Sequence, residues 1–157
     1  SGAIDATEWV GPWNDEAMKF QEAAKYYYYP GMHEPGSMLA CGTNKSWFTS
    51  LNKSDQLLIE AAASMENDVM MSEYNAKNGA ALARLINDHG VKLEKFSDKV
   101  YDGFAGAANE VFEETRASSG LAERVHTSFL KARKDIGSWT NLSDSPYISQ
   151  RNRALGM

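Results

Sequence analysis

The chain has 157 residues, 43% hydrophobic and 24% charged, with 21 acidic against 16 basic side chains and a formal charge of −5. That length and apolar content support a buried core and argue against disorder. A net acidic chain without a basic cluster argues against nucleic acid or anionic lipid as a partner, and no apolar run approaches the roughly 20 residues of a membrane-spanning helix.

Cys41 is the single cysteine, which excludes an internal disulfide and a cysteine-based zinc site. Ser1 to Asp5 lack the basic and apolar regions of a secretory leader, and no methionine initiates the chain. The start therefore reads as an internal position of a longer protein or as a processed end, the first being the simpler expectation.

In chain order, Ala3 to Val10 contain the β-branched Ile4, Thr7 and Val10 and run into Gly11-Pro12, which predicts a short strand entering a turn. Trp13, Ala17, Phe20, Ala24 and Tyr27 or Tyr28 recur at helical spacing, with Asp15 and Glu16 in the first turn where the helix dipole favours acids. Pro30-Gly31 ends that helix. After the turn at His33-Glu34-Pro35-Gly36, Met38 to Thr43 are strand-like, and Trp47-Phe48 begin a short turn or helix.

Asn52 caps a long helical pattern running through Leu57, Leu58, Met65, Val69, Leu82, Leu85 and Ile86 to His89-Gly90, with a bend expected near Asn78-Gly79. Val91 to Phe96 alternate apolar and charged residues, as a half-exposed strand does. Ser97 or Asp98 caps a helix carrying Val100, Phe104, Val111 and Phe112 on one face; Ser118-Ser119-Gly120 break it, and a last helix follows through Leu121, Val125, Phe129 and Ile136. Residues 139–157, with Pro146, read as an irregular tail. The fold class is α/β, rich in helix, with about three short strands. Helices separate the strands, which favours parallel pairing.

Two positions carry candidate chemistry. Glu8-Trp9 stands at the carboxyl end of a predicted strand, the end at which open α/β sheets bind ligands. A glutamate there suits a hard cation, with a neighbouring backbone carbonyl as second oxygen donor; a solvated loop glutamate beside a packed indole is the commoner outcome for such residues. His33-Glu34 are presented by the fixed backbone of Pro35-Gly36, either to a ligand or to solvent. Catalytic patterns are missing: His33, His89 and His126 form no HExxH pair, and the chain has neither a GxSxG elbow nor a GxxxxGK phosphate loop. Met65, Met70 and Met71 follow an apolar helical stripe and read as core packing.

The run from Gly2 to Pro12, GAIDATEWVGP, resembles the segment crossing between lobes in TRAP transporter solute-binding receptors of the DctP type, above all the branch that binds 2-oxo acids and related monocarboxylates. The run from Ala24 to Gly36, AKYYYYPGMHEPG, is similar to that branch too, as are the helix start at Asp55 to Glu60 and the closing Trp139 to Asp144. The resemblance covers essentially residues 1–157 and implies the C-terminal half of a two-lobed, type II-like periplasmic binding protein. It implies a periplasmic receptor that captures a small organic carboxylate with a sodium or calcium ion and presents it to TRAP membrane subunits. Carried over, Glu8 supplies a carboxylate oxygen to the cation, Trp9 its backbone carbonyl and a pocket wall, and Glu34 lies beside the ligand or its cation. The arginine that holds the ligand carboxylate in this family belongs to the half without a match here. A homodimer by exchange of a C-terminal helix is a further expectation of the resemblance. Two rivals are a carboxylate-processing enzyme using Glu8 or Glu34 as general base, and a helical interaction domain that takes no small ligand.

Overall fold

The structure is a computed structural model and describes residues 2–36 and 39–157. It divides into two compact units, Ser1–Ser97 and Asp98–Met157.

In the first unit, helices α1 (Pro12–Ala17) and α2 (Phe20–Ala23) lead into strand β1 (Tyr26–Tyr29). Helices α3 (Lys45–Ser50) and α4 (Lys53–Asn87) then carry the chain to strand β2 (Lys92–Lys95). β1 and β2 pair in parallel, Tyr26 opposite Lys92 through Tyr29 opposite Lys95. Parallel neighbours need such a helical crossover, since a tight hairpin joins only antiparallel ones. Tyr28 and Phe96 stack at 5.0 Å across the end of the pair. Ala81, Leu85 and Val91 form the buried apolar centre at the junction of α4 and β2.

The long helix forms as its cap predicts. The Asn52 side-chain oxygen accepts the Asp55 N–H at 2.9 Å, and the Gln56 amide donates to the carbonyls of Phe48 and Leu51, clamping α3 to the start of α4. α4 is continuous through Asn78 and Gly79, where a bend is expected from the sequence. It ends at Asn87, and beyond it Gly90, with a φ of 68°, lets the chain reverse while the Val91 N–H bonds the Leu85 carbonyl at 3.0 Å.

Three expectations in this unit are corrected. Residues 3–10 form no strand: β-branched residues need a neighbouring edge, and β1 with β2 is the only pairing among the described residues. The single helix expected over 13–28 breaks at Lys19, which takes the left-handed conformation (φ 61°), and Tyr26–Tyr29 turn into the strand. Tyrosine favours a pleated surface, and four in a row satisfy a helical or a strand period alike. Leu39 to Thr43 form no strand either, and Met38 lies outside the described residues. The described structure thus has two strands where about three are expected.

In the second unit, α5 (Asp98–Ala117) and α6 (Gly120–Thr140) pack as a helical hairpin. The Phe112 ring lies 5.8 Å from Phe129 and 6.1 Å from His126. The Ser119 hydroxyl caps α6 by accepting the Ala122 N–H at 3.1 Å, so the Ser-Ser-Gly break falls where the sequence puts it. The segment 139–157, expected to be irregular, instead contains α7 (Asp144–Leu155). Pro146 falls in its first turn, where a missing N–H breaks no helical bond, and Gly156 ends it at φ 67°. Among the described residues no helix is long and apolar enough to cross a membrane.

Candidate functional site

Glu8 and Trp9 lie in the extended segment that delivers the chain into α1, so their placement depends on how α1 is held. Gly11 begins the helix at φ 154° and ψ 177°, a region open in practice only to glycine. A β-carbon at Gly11 would meet the Asn78 amide at an ordinary 3.5 Å, so conformation rather than space selects glycine. With no side chain at the cap, the first-turn N–H groups need another acceptor. Asn78, on α4, provides it: its Oδ1 accepts the Trp13 N–H at 3.1 Å.

Three more contacts fix α1 against α4. The Trp13 ring meets Tyr74 edge-on at 5.3 Å, and the Lys77 ammonium sits 4.1 Å over the same indole. Arg84 binds Glu16 through two parallel hydrogen bonds, 2.7 and 2.6 Å, the planar fork that aligns a guanidinium with a carboxylate. Arg84 holds the Glu16 carboxyl below its ordinary pKa, against a small opposing effect of burial.

α1 is also tied to β1. The Tyr27 hydroxyl donates to Asp15 Oδ2 at 2.5 Å. Burial raises the Asp15 pKa above 3.8, with the Tyr27 and Gly11 hydrogen bonds pulling the other way, while burial and the Asp15 carboxylate push the Tyr27 pKa well above its usual value. Tyr27 therefore stays a hydrogen-bond donor at any physiological pH. This bond connects the helix just after Glu8-Trp9 to the strand just before Glu34.

The sign of the Asp15 shift gives a prediction. The folded chain holds this proton more tightly than the unfolded chain, so its contribution to stability is greatest below about pH 4 and falls as pH rises through the raised folded pKa. Denaturant unfolding at a series of pH values is expected to show wild type losing stability relative to Asp15→Asn as the pH rises above about 4. The opposite trend would mean that the Tyr27 and Gly11 bonds outweigh burial.

The three site residues proposed from sequence are all exposed. Glu8 and Trp9 precede α1, Trp9 meeting Phe20 edge-on at 6.5 Å, and Glu34 sits in the bend after Pro30. No ion pair engages either carboxylate among the described residues. No group of three His, Cys, Asp or Glu residues that could hold a metal occurs among the described residues. Two carboxylates and a backbone carbonyl are nevertheless hard oxygen donors of the kind calcium and sodium prefer, and a ligand carboxylate would add more. Asp15, Tyr27, Asn78 and Arg84, which position the Glu8 segment, are missed by the sequence reading. An asparagine within a long helix, a poor helix former there, is the one local signal of such a role.

Residues 1–118 match the model of the family described as bacterial extracellular solute-binding protein, family 7, DctP. The chain is 35% identical over 146 residues to a monocarboxylate 2-oxoacid-binding periplasmic protein of Nostoc sp., covering 93% of this chain and 40% of that protein. It is similar to three solved TRAP solute-binding proteins. One, from Bordetella bronchiseptica, is a dimer of mixed occupancy with calcium and picolinate in its occupied site (TM-score 0.89, 28% identity, 99% of this chain and 46% of that one). One from Colwellia psychrerythraea holds calcium and pyruvate (TM-score 0.89, 34% identity, 95% and 45%). One from Pseudoalteromonas atlantica holds sodium and pyruvate (TM-score 0.83, 28% identity, 93% and 44%). The chain thus spans less than half the length of each of these relatives.

Proposed function

Because the chain belongs to the DctP family of bacterial extracellular solute-binding proteins, we propose that it is the C-terminal portion of a periplasmic receptor that captures a small 2-oxo acid together with a cation and delivers it to TRAP membrane subunits. The observation that carries this reading is the similarity, at 34% identity over 95% of the chain, to a receptor holding calcium and pyruvate. The geometry supports it: the Glu8 segment is held through α1 by Asn78 and Arg84, and the Tyr27–Asp15 bond couples it to the strand leading to Glu34.

In this reading Glu8 and the Trp9 carbonyl ligate the cation, the Trp9 indole walls the pocket, and Glu34 closes the far side beside ligand or cation. A carboxylate ligand facing two carboxylates alone meets only repulsion. A sodium or calcium ion between them converts the repulsion into attraction, and its bound oxygens orient the acid. The remaining contact to the ligand carboxylate comes from an arginine outside this chain. The Bordetella relative being a dimer supports a homodimer here, with exchange of a C-terminal helix as its form.

Calorimetric titration of the complete receptor with pyruvate tests the reading. Binding is expected with sodium or calcium present and is expected to vanish after chelation and dialysis; binding indifferent to both ions would overturn it. The 157-residue chain alone is expected to bind pyruvate weakly or not at all, for want of the arginine. Recovery of unchanged pyruvate from the complete receptor distinguishes capture from catalysis with Glu8 or Glu34 as base.

A further inference from the structure

Asp15 and Gln21 are 6% and 8% exposed, and each has one buried oxygen, Asp15 Oδ1 and Gln21 Oε1, with no hydrogen-bond partner among the described residues. Buried polar atoms are almost always satisfied, by protein or by ordered water. Both residues line one small, partly open pocket of about 30 Å³, walled otherwise mainly by Phe20, Tyr26, Leu85 and Val91. A water needs at least about 10–15 Å³ of such space and two or more polar partners. Tyr27 occupies the other Asp15 oxygen.

With Asp15 ionised, both unsatisfied atoms are acceptors, so whatever serves them must donate two hydrogen bonds and be small. We propose that this cavity is a binding site for one ordered water molecule, which donates to Asp15 Oδ1 and to Gln21 Oε1 and so joins α1 to α2. A hard cation fits less well: calcium takes six to eight oxygens, whereas the walls here are chiefly apolar side chains. The bridge accounts for the geometry of the intervening turn. Lys19 adopts φ 61°, unusual for a residue with a β-carbon, and its ion pair with Glu22 is an exposed contact at 3.6 Å. A water-mediated link between Asp15 and Gln21 spans the turn and holds it from the buried side.

Two measurements on the complete receptor test the site. A crystal structure at about 1.8 Å or better is expected to show a single peak about 2.7–3.1 Å from both oxygens. An empty cavity, a metal at short range from several oxygens, or Gln21 turned so that its amide nitrogen donates directly to Asp15 would each overturn the proposal. In solution, a long-lived water is expected to give nuclear Overhauser contacts to the methyl groups of Leu85 and Val91. Gln21→Met, which removes one acceptor and fills the space, is expected to abolish them. Absence of these contacts in wild type sinks the proposal however the variant behaves.

Discussion

Glu8→Gln in the complete receptor is expected to weaken pyruvate binding about 100-fold, with most of its dependence on added sodium or calcium lost. The substitution keeps length, volume and one oxygen acceptor and removes only the charge. Outer-shell partners of a metal site already change its affinity by roughly 10- to 100-fold, so a direct carboxylate ligand belongs at the upper end of that range. In the proposed site the cation would carry the effect: without the Glu8 charge it would be held less tightly, and the acid would then face Glu34 with less positive charge between them. The loss should be larger when calcium is the ion than when sodium is, because the attraction scales with ionic charge. Glu22→Gln is a matched control, since that carboxylate pairs with Lys19 on the surface of α2. A Glu8→Gln receptor with undiminished affinity, at limiting cation, would remove Glu8 from the site.

Which parts of this molecule are legible in the sequence depends on the range of the interactions that fix them. α4, α5 and α6 are set by local periodicity and by side-chain caps, and Asn52 and Ser119 stand where a cap is expected. β2 is marked by alternation between apolar and charged residues. Tyr26–Tyr29 carries no such mark, because a run of one residue type has no period; the pairing with Lys92–Lys95 makes it a strand. α7 is hidden by Pro146, which reads as a breaker until the helix start is known. The site divides in the same way. Glu8, Trp9 and Glu34 stand out through a recognisable run of neighbours, whereas the group that holds their segment acts at a distance: Asn78 lies 65 residues from the Trp13 N–H it accepts. An asparagine beside a glycine reads locally as a weak point in a helix. Only tertiary contact shows it to be the cap of another one.

That dependence on α4 places the second large effect at Leu85. Leu85 is 2% exposed, packs at the junction of α4 with β2, and lies one residue beyond Arg84, which grips Glu16. Leu85→Ala deletes buried carbons where few others are available: Ala81 and Val91 are the other buried apolar residues among those described. Large-to-small changes of this kind cost about 2–5 kcal/mol, the higher values arising where the surroundings fail to collapse into the space. Collapse is restricted here, since the Val91 N–H is bonded to the Leu85 carbonyl and the strand register holds Lys92 to Lys95 against β1. Thermal unfolding is expected to shift down by at least about 10 °C, from about 4–8 °C per kcal/mol for a unit of this size. Leu58→Ala, on the same helix but 67% exposed, is expected to change stability by less than about 0.5 kcal/mol. Equal and small effects from both substitutions would mean that the α4–β2 junction is not the centre of this unit, and that the segment carrying Glu8 and Trp9 is held in some other way.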